Sequence, residues 1–170
     1  MSKLTRDVST AFSVLKRIVV PQVTRVAVHI TYDCNQHCKT CDIWAINKDN
    51  PELMKKEVTL KEFERFCEVN PHILWMCLTG GEPYLKKDLK GFLDACCTIP
   101  SLRLISISTN GSVPDNIEDD VRHFLKNSRK DITLATQVSF EGPEELHDEI
   151  SGTKGSFKRA LESLSRLEKL

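Results

Sequence analysis

Apolar residues recur at helical intervals at Leu4, Val8, Ala11, Phe12, Leu15 and Val19 and stop before Pro21, which predicts an amphipathic helix near the N-terminus. It reads as a lid or packing arm over residues 1–22. The period then changes to two. Val23 to Ile30 is rich in β-branched residues and sets Val26, Val28 and Ile30 on one face, the pattern of a strand entering a sheet. Ile73 to Leu78 is an almost uninterrupted apolar run, as expected of a strand covered on both faces in a parallel sheet. Leu102 to Ser108 reads as a third strand. In the fourth, Ile132, Leu134, Thr136, Val138 and Phe140 alternate with Thr133, Ala135, Gln137 and Ser139, which leaves room for a polar inner face.

Helical periods fill the gaps. Asn47 to Lys56, charged and interrupted by Pro51, reads as a solvated connection. Thr59 then opens a helix with a capping box to Glu62 and a staple between Val58 and Phe63, burying Phe63, Phe66 and Cys67. Leu89, Phe92, Leu93 and Cys96 stripe the next helix, and Ile117, Val121, Phe124 and Leu125 the one after. Phe157, Leu161, Leu164 and Leu167 stripe the last, entered through Gly152 and Gly155, and the chain ends on Leu170 without a capping residue. Four βα units at roughly 30-residue spacing predict an α/β fold with a parallel sheet, either doubly wound or part of a barrel. Both place binding groups at the C-terminal ends of the strands. Here those ends carry the segment Cys34 to Cys41, the turn Thr79-Gly80-Gly81-Glu82-Pro83, Ser108 with Asn110, and Ser139.

Composition narrows the chemistry. A chain of 170 residues suits one domain able to bury roughly two-thirds of its unfolded surface without disulfides. Basic and acidic residues balance at 24 each with no run of one sign, so nothing electrostatic nominates a nucleic acid or a membrane surface. No secretory leader or membrane span is expected, and the chain reads as cytoplasmic. Seven cysteines, an odd number, then point to metal binding or thiol chemistry rather than bridges.

Three of them, Cys34, Cys38 and Cys41, lie at intervals of four and three. With Ile30 and Ala45 they also form one helical stripe, so buried structural thiols are one reading. The residues between them, Asn, Gln, His, Lys and Thr, suit instead a loop whose sulfurs face a ligand. Zinc would want a fourth ligand such as His37, whereas a four-iron cluster on three thiolates keeps one iron open. His37 is expected to face solvent. His29, His72, His123 and His147 earn no assignment, and Cys67, Cys77, Cys96 and Cys97 read as core or near-surface thiols.

The spacing Cys34-x3-Cys38-x2-Cys41 after a strand, followed by Gly80-Gly81-Glu82-Pro83 and Ser108-Thr109-Asn110-Gly111, resembles the radical S-adenosylmethionine (radical SAM) enzyme superfamily over residues ~23–170. The resemblance implies a partial (βα)6 TIM-like barrel, with about four βα units in residues 23–170 behind an N-terminal extension. It implies that Cys34, Cys38 and Cys41 hold a [4Fe-4S] cluster whose open iron chelates S-adenosylmethionine. Gly80 and Gly81 would let backbone approach the methionine end, Glu82 would hold the ammonium, Ser108 and Asn110 the ribose, and Ser139 would lie near the cofactor. Reductive cleavage to a 5′-deoxyadenosyl radical would then serve hydrogen abstraction in peptide modification or in cofactor or natural-product biosynthesis. The implied partners are a one-electron donor such as flavodoxin or ferredoxin and a substrate the sequence does not name. Two positions depart from the family pattern: Thr40 stands where an aromatic residue is common, and Ser151 where arginine is frequent. A count of four units where the family has six predicts a truncated core, with accessory clusters in an absent extension, or self-association through an open sheet edge. The competing readings are a non-catalytic iron–sulfur electron-transfer or metal-binding module and a thiol-rich α/β binding domain.

Overall fold

The computed structural model describes residues 23–170, so the helix expected over residues 1–22 lies outside the described residues. Strand β1 (Arg25–Thr31) leads through the cysteine segment to α1 (Ile43–Asp49) and a 3-10 turn over Pro51–Lys56. Then come α2 (Leu60–Val69), β2 (Trp75–Gly80), a short 3-10 turn over Pro83–Leu85, α3 (Leu89–Cys97), β3 (Leu104–Thr109) and α4 (Pro114–Asn127). Strand β4 (Thr133–Val138) and helices α5 (Glu144–Ser151) and α6 (Ser156–Leu167) complete the order.

The four strands form one parallel sheet in the order β1-β2-β3-β4, with Ala27, Cys77, Ser106 and Ala135 in one register row. A doubly wound sheet reverses its order at the first strand, whereas this one adds each strand on the same side, as a barrel does. Among the described residues it does not close. Ile30, Met76, Leu78, Ile105 and Ile107 are fully buried in one core cluster with Phe63 of α2, Phe92 of α3 and Phe124 of α4. Phe63 and Phe92 meet with ring centroids 4.8 Å apart.

This winding corrects the expectation that β2 is covered on both faces. Met76 and Leu78 are buried, but Trp75 and Cys77 are half-buried, because the helices that supply the core cover one face of the sheet. Helix α2 begins as expected: the Thr59 hydroxyl accepts from the Glu62 N–H at 3.3 Å and the Glu62 carboxylate accepts from the Thr59 N–H at 2.9 Å. The connection expected over residues 47–56 is instead the end of α1 and a 3-10 turn. Helix α1 lacks a side-chain cap and is tied down by tertiary contact, its Trp44 indole N–H donating to the Cys38 carbonyl at 3.1 Å.

Helix α6 keeps only part of the expected stripe: Leu167 packs against the core, but the buried face is made by small residues. Ser156, Ala160 and Ser163 are buried, while Leu161 and Leu164 are exposed. The cause is a close approach to the turn after β3, where the Ser163 hydroxyl donates to the Gly111 carbonyl at 2.7 Å and only small residues fit. Leu125 of α4 is likewise exposed, leaving Ile117, Val121 and Phe124 to face the core. No helix among the described residues is long and apolar enough to cross a membrane.

Candidate functional site

Residues 34–41 are irregular loop, not helix, so the helical-stripe reading of the cysteines falls. The loop is anchored where it leaves β1. The Glu57 carboxylate accepts from the Thr31 hydroxyl at 2.8 Å and the Tyr32 N–H at 2.6 Å, and pairs with Lys86 at 3.3 Å in a largely buried setting. On one flank Gly81 N–H donates to the Thr31 carbonyl at 2.9 Å and Glu82 N–H to the Asp33 carbonyl at 2.7 Å. On the other, His37 N–H donates to the Ser151 carbonyl at 3.1 Å and Lys39 N–H to that of Ile150 at 2.8 Å. The loop therefore spans the turn after β2 and the C-terminal end of α5.

The need for glycine after β2 has a local cause. A Cβ on Gly80 would lie 2.1 Å from the Thr31 carbonyl oxygen, and one on Gly81 2.0 Å from that of Asp33. The missing side chains admit the cysteine loop itself.

Cys34, Cys38, Cys41, Gly80, Gly81, Ser108, Asn110 and Ser139 line one cleft at the C-terminal ends of the strands, about 710 Å³ in volume with its open mouth. Thr40 and Ser151, the two departures from the family pattern, also line it. Glu82 sits one layer beneath, fully buried, its carboxylate accepting from the Thr109 hydroxyl at 2.8 Å, Asn110 N–H at 2.7 Å and Tyr84 N–H at 3.1 Å. Burial pushes this carboxyl above its ordinary value, against the pull of those donors. The Asn110 side chain donates to the Asn35 side-chain oxygen Oδ1 at 3.1 Å and accepts from Ser112 N–H at 2.9 Å, while Ser108 donates to Gln137 at 3.4 Å.

Sequence reasoning missed several lining residues. Thr79 and Thr109 fall inside motifs already singled out, so their position was available to it. Gln36 also falls inside a motif, between the cysteines, but had no role assigned, while Glu141 and His147 carried no assignment. Gln36, read only as part of a loop whose sulfurs face a ligand, is 2% exposed, and His147, given no assignment, is also 2% exposed. His37 faces solvent as expected, edge-on to Trp44 at 5.1 Å.

Burial raises the Cys34 thiol, and the nearby Glu82, Cys38 and Cys41 add to the effect against a backbone hydrogen bond from Gln36. Burial raises Cys38 as well, with Cys41 and Glu141 adding to it. All three thiols are free, and a cationic metal group would relieve the repulsion among their thiolates. Among the described residues no group of three or more His, Cys, Asp or Glu side chains is arranged around a single ion.

Comparison with known proteins matches residues 28–170 to the radical SAM superfamily. An AdoMet-dependent heme synthase of Oleidesulfovibrio alaskensis is 27% identical over 150 residues, 87% of this chain and 36% of that protein. The sporulation killing factor maturation protein SkfB of Bacillus subtilis is 26% identical over 141 residues, 82% of this chain and 32% of that protein. A 7-carboxy-7-deazaguanine synthase of Methanospirillum hungatei is 35% identical over 89 residues, 52% of this chain and 35% of that protein. The chain spans about a third of the length of these relatives. The family match, by contrast, takes in almost all of the described fold: the chain belongs to the radical SAM superfamily, whose members use a [4Fe-4S] cluster and S-adenosylmethionine.

Proposed function

We propose that Cys34, Cys38 and Cys41 hold a [4Fe-4S] cluster and that the cleft beside them binds S-adenosylmethionine, making this chain part of a radical SAM enzyme. The observation that carries the reading is the gathering of those thiols with Gly80, Gly81, Ser108, Asn110 and Ser139 around one cleft. When bound, cluster and S-adenosylmethionine supply a reductively generated 5′-deoxyadenosyl radical for hydrogen abstraction from substrate.

The chain's own residues position and shield. Ser108, Asn110 and Ser139 offer hydroxyl and amide groups to the ribose side of the cofactor, and Gly80 and Gly81 offer backbone. Glu82 acts from beneath by fixing Thr109 and Asn110 through its hydrogen bonds, and meets the cofactor ammonium if its carboxylate turns upward. Thr40 supplies a hydroxyl where an aromatic face is common, so the adenine must be held from another side. The one-electron donor is of the flavodoxin or ferredoxin class. The relatives named for heme synthesis and for maturation of a killing factor support a substrate among cofactor precursors or peptides.

Anaerobic reconstitution with iron and sulfide should give a brown protein with iron–sulfur absorption that binds S-adenosylmethionine, and Cys38→Ala should lose most of that absorption. A colourless protein holding one zinc would overturn the reading. With a loaded cluster, release of 5′-deoxyadenosine on adding dithionite and S-adenosylmethionine separates an enzyme from an electron-transfer module, which would release none.

A further inference from the structure

Beneath the cysteine loop lies a buried polar chain that the cofactor-binding residues do not use. Gln36, Ser156 and His147 are each at most 2% exposed and come from the loop, the start of α6 and the middle of α5. The Gln36 amide nitrogen lies 2.6 Å from the Ser156 hydroxyl oxygen, and His147 Nε2 lies 3.0 Å from the same oxygen. Glu141 N–H donates to His147 Nδ1 at 3.1 Å. That bond fixes Nδ1 as the acceptor, so Nε2 carries the ring proton and donates to Ser156. The other end of the Gln36 amide, Oε1, accepts from the Cys38 thiol at 3.6 Å. Phe157 packs edge-on to the His147 ring at 5.8 Å and helps wall the chain from water.

In this arrangement Ser156 accepts twice and its own proton has no acceptor within the chain. A cysteine bound to iron, moreover, has no proton to give, and the carbonyl oxygen of Gln36 would then face a thiolate. Both conflicts end with one motion, a half-turn of the Gln36 amide about its last bond, which exchanges atoms of nearly equal size. Every group is then satisfied in one direction: Glu141 N–H to His147 Nδ1, His147 Nε2–H to Ser156, Ser156 O–H to Gln36 Oε1, and Gln36 N–H to Cys38 sulfur.

We infer that Gln36 is a positioning residue for the cluster, its side-chain N–H aimed at the Cys38 thiolate by a buried relay through Ser156 and His147. The inference rests on the proposed role of Cys38 as a cluster ligand. An N–H donor to a ligand sulfur stabilises the reduced cluster, which carries one more electron and no added proton, over the oxidised one. The relay thus makes the cluster easier to reduce, and it reaches the cluster from α5 and α6, which follow the last strand.

The test compares wild type, Gln36→Leu, Ser156→Ala and the double variant, each reconstituted anaerobically, assayed for iron and sulfide, and titrated with dithionite while the reduced cluster is followed by electron paramagnetic resonance. Gln36→Leu should lower the one-electron reduction equilibrium on the order of tenfold, about 59 mV. Ser156→Ala, which leaves the cysteine loop unchanged, should shift it the same way by less, and the double variant should match Gln36→Leu alone, as members of one relay do. Loaded variants with the wild-type potential, or shifts that simply add, would overturn the relay. If Gln36→Leu fails to load, Ser156→Ala decides by itself. A wild-type chain that takes up neither iron nor sulfide would instead overturn the cluster reading, and the relay with it.

Discussion

At the scale of single residues, the site is built from groups whose types were conspicuous in the sequence and whose partners were not. Cys34, Cys38 and Cys41 announced themselves by spacing, and Gly80-Gly81-Glu82-Pro83 by its place after an apolar run. Which atoms these residues touch depended on the loop crossing. Gly81 is the clearest case: its lack of a Cβ serves the Asp33 carbonyl, 2.0 Å from where a Cβ would stand. Backbone on both sides leaves no flexible group to yield, so Gly81→Ala is expected to cost about 3 kcal/mol in urea denaturation and to reduce iron uptake in parallel. Unchanged stability would mean that the loop is free to move away from β2. Gln36 shows the converse. A polar residue between cysteines has no sequence feature that tells a buried relay from a solvated loop, because its partners lie on α5 and α6.

At the scale of elements, local signals worked where the element stabilises itself and faltered where neighbours decide. The capping box of α2 is local hydrogen bonding and formed as read. Helix α6 carries a stripe of leucines, yet proximity to Gly111 selects its small-residue face, because the gap there is too narrow for a leucine. Helix α4 presents a second override, since Asp120 lies buried on the face of Ile117 and Val121. Burial raises its carboxyl to about 6, with Asp119 adding to the rise while Lys90 and His123 oppose it. A folded value above the unfolded one means that the associated stability is full below the unfolded value and is lost as pH climbs through about 6. Asp120→Asn should therefore gain about 2 kcal/mol on wild type between roughly pH 4.5 and roughly pH 8. Denaturation curves at the two pH values check this; parallel loss in both proteins would place the titration elsewhere.

At the scale of the whole molecule, the sheet order gathers four strand ends on one side and leaves β1 and β4 as edges among the described residues. The elements after β4 expose Phe140, Leu146, Leu161 and Leu164. An unpaired parallel edge with exposed apolar groups nearby favours pairing between copies. The chain by itself is expected to show a light-scattering mass that rises with concentration, and Leu161→Lys with Leu164→Lys should suppress the rise. A concentration-independent monomer would overturn the expectation of self-association.

The sequence by itself determined the alternation of strands and helices, the capping of α2, the family motifs and the face on which they would meet. These follow from period, local hydrogen bonding and residue type, all carried within a few neighbours along the chain. Tertiary structure alone decided that the sheet winds in one direction, that α6 buries its small residues, that Glu82 lies beneath the cleft rather than in its wall, and that Gln36 and His147 both reach Ser156. Each of these depends on distances between segments far apart in the chain. Side-chain periodicity records which face of an element is apolar, but not how closely another element will approach it.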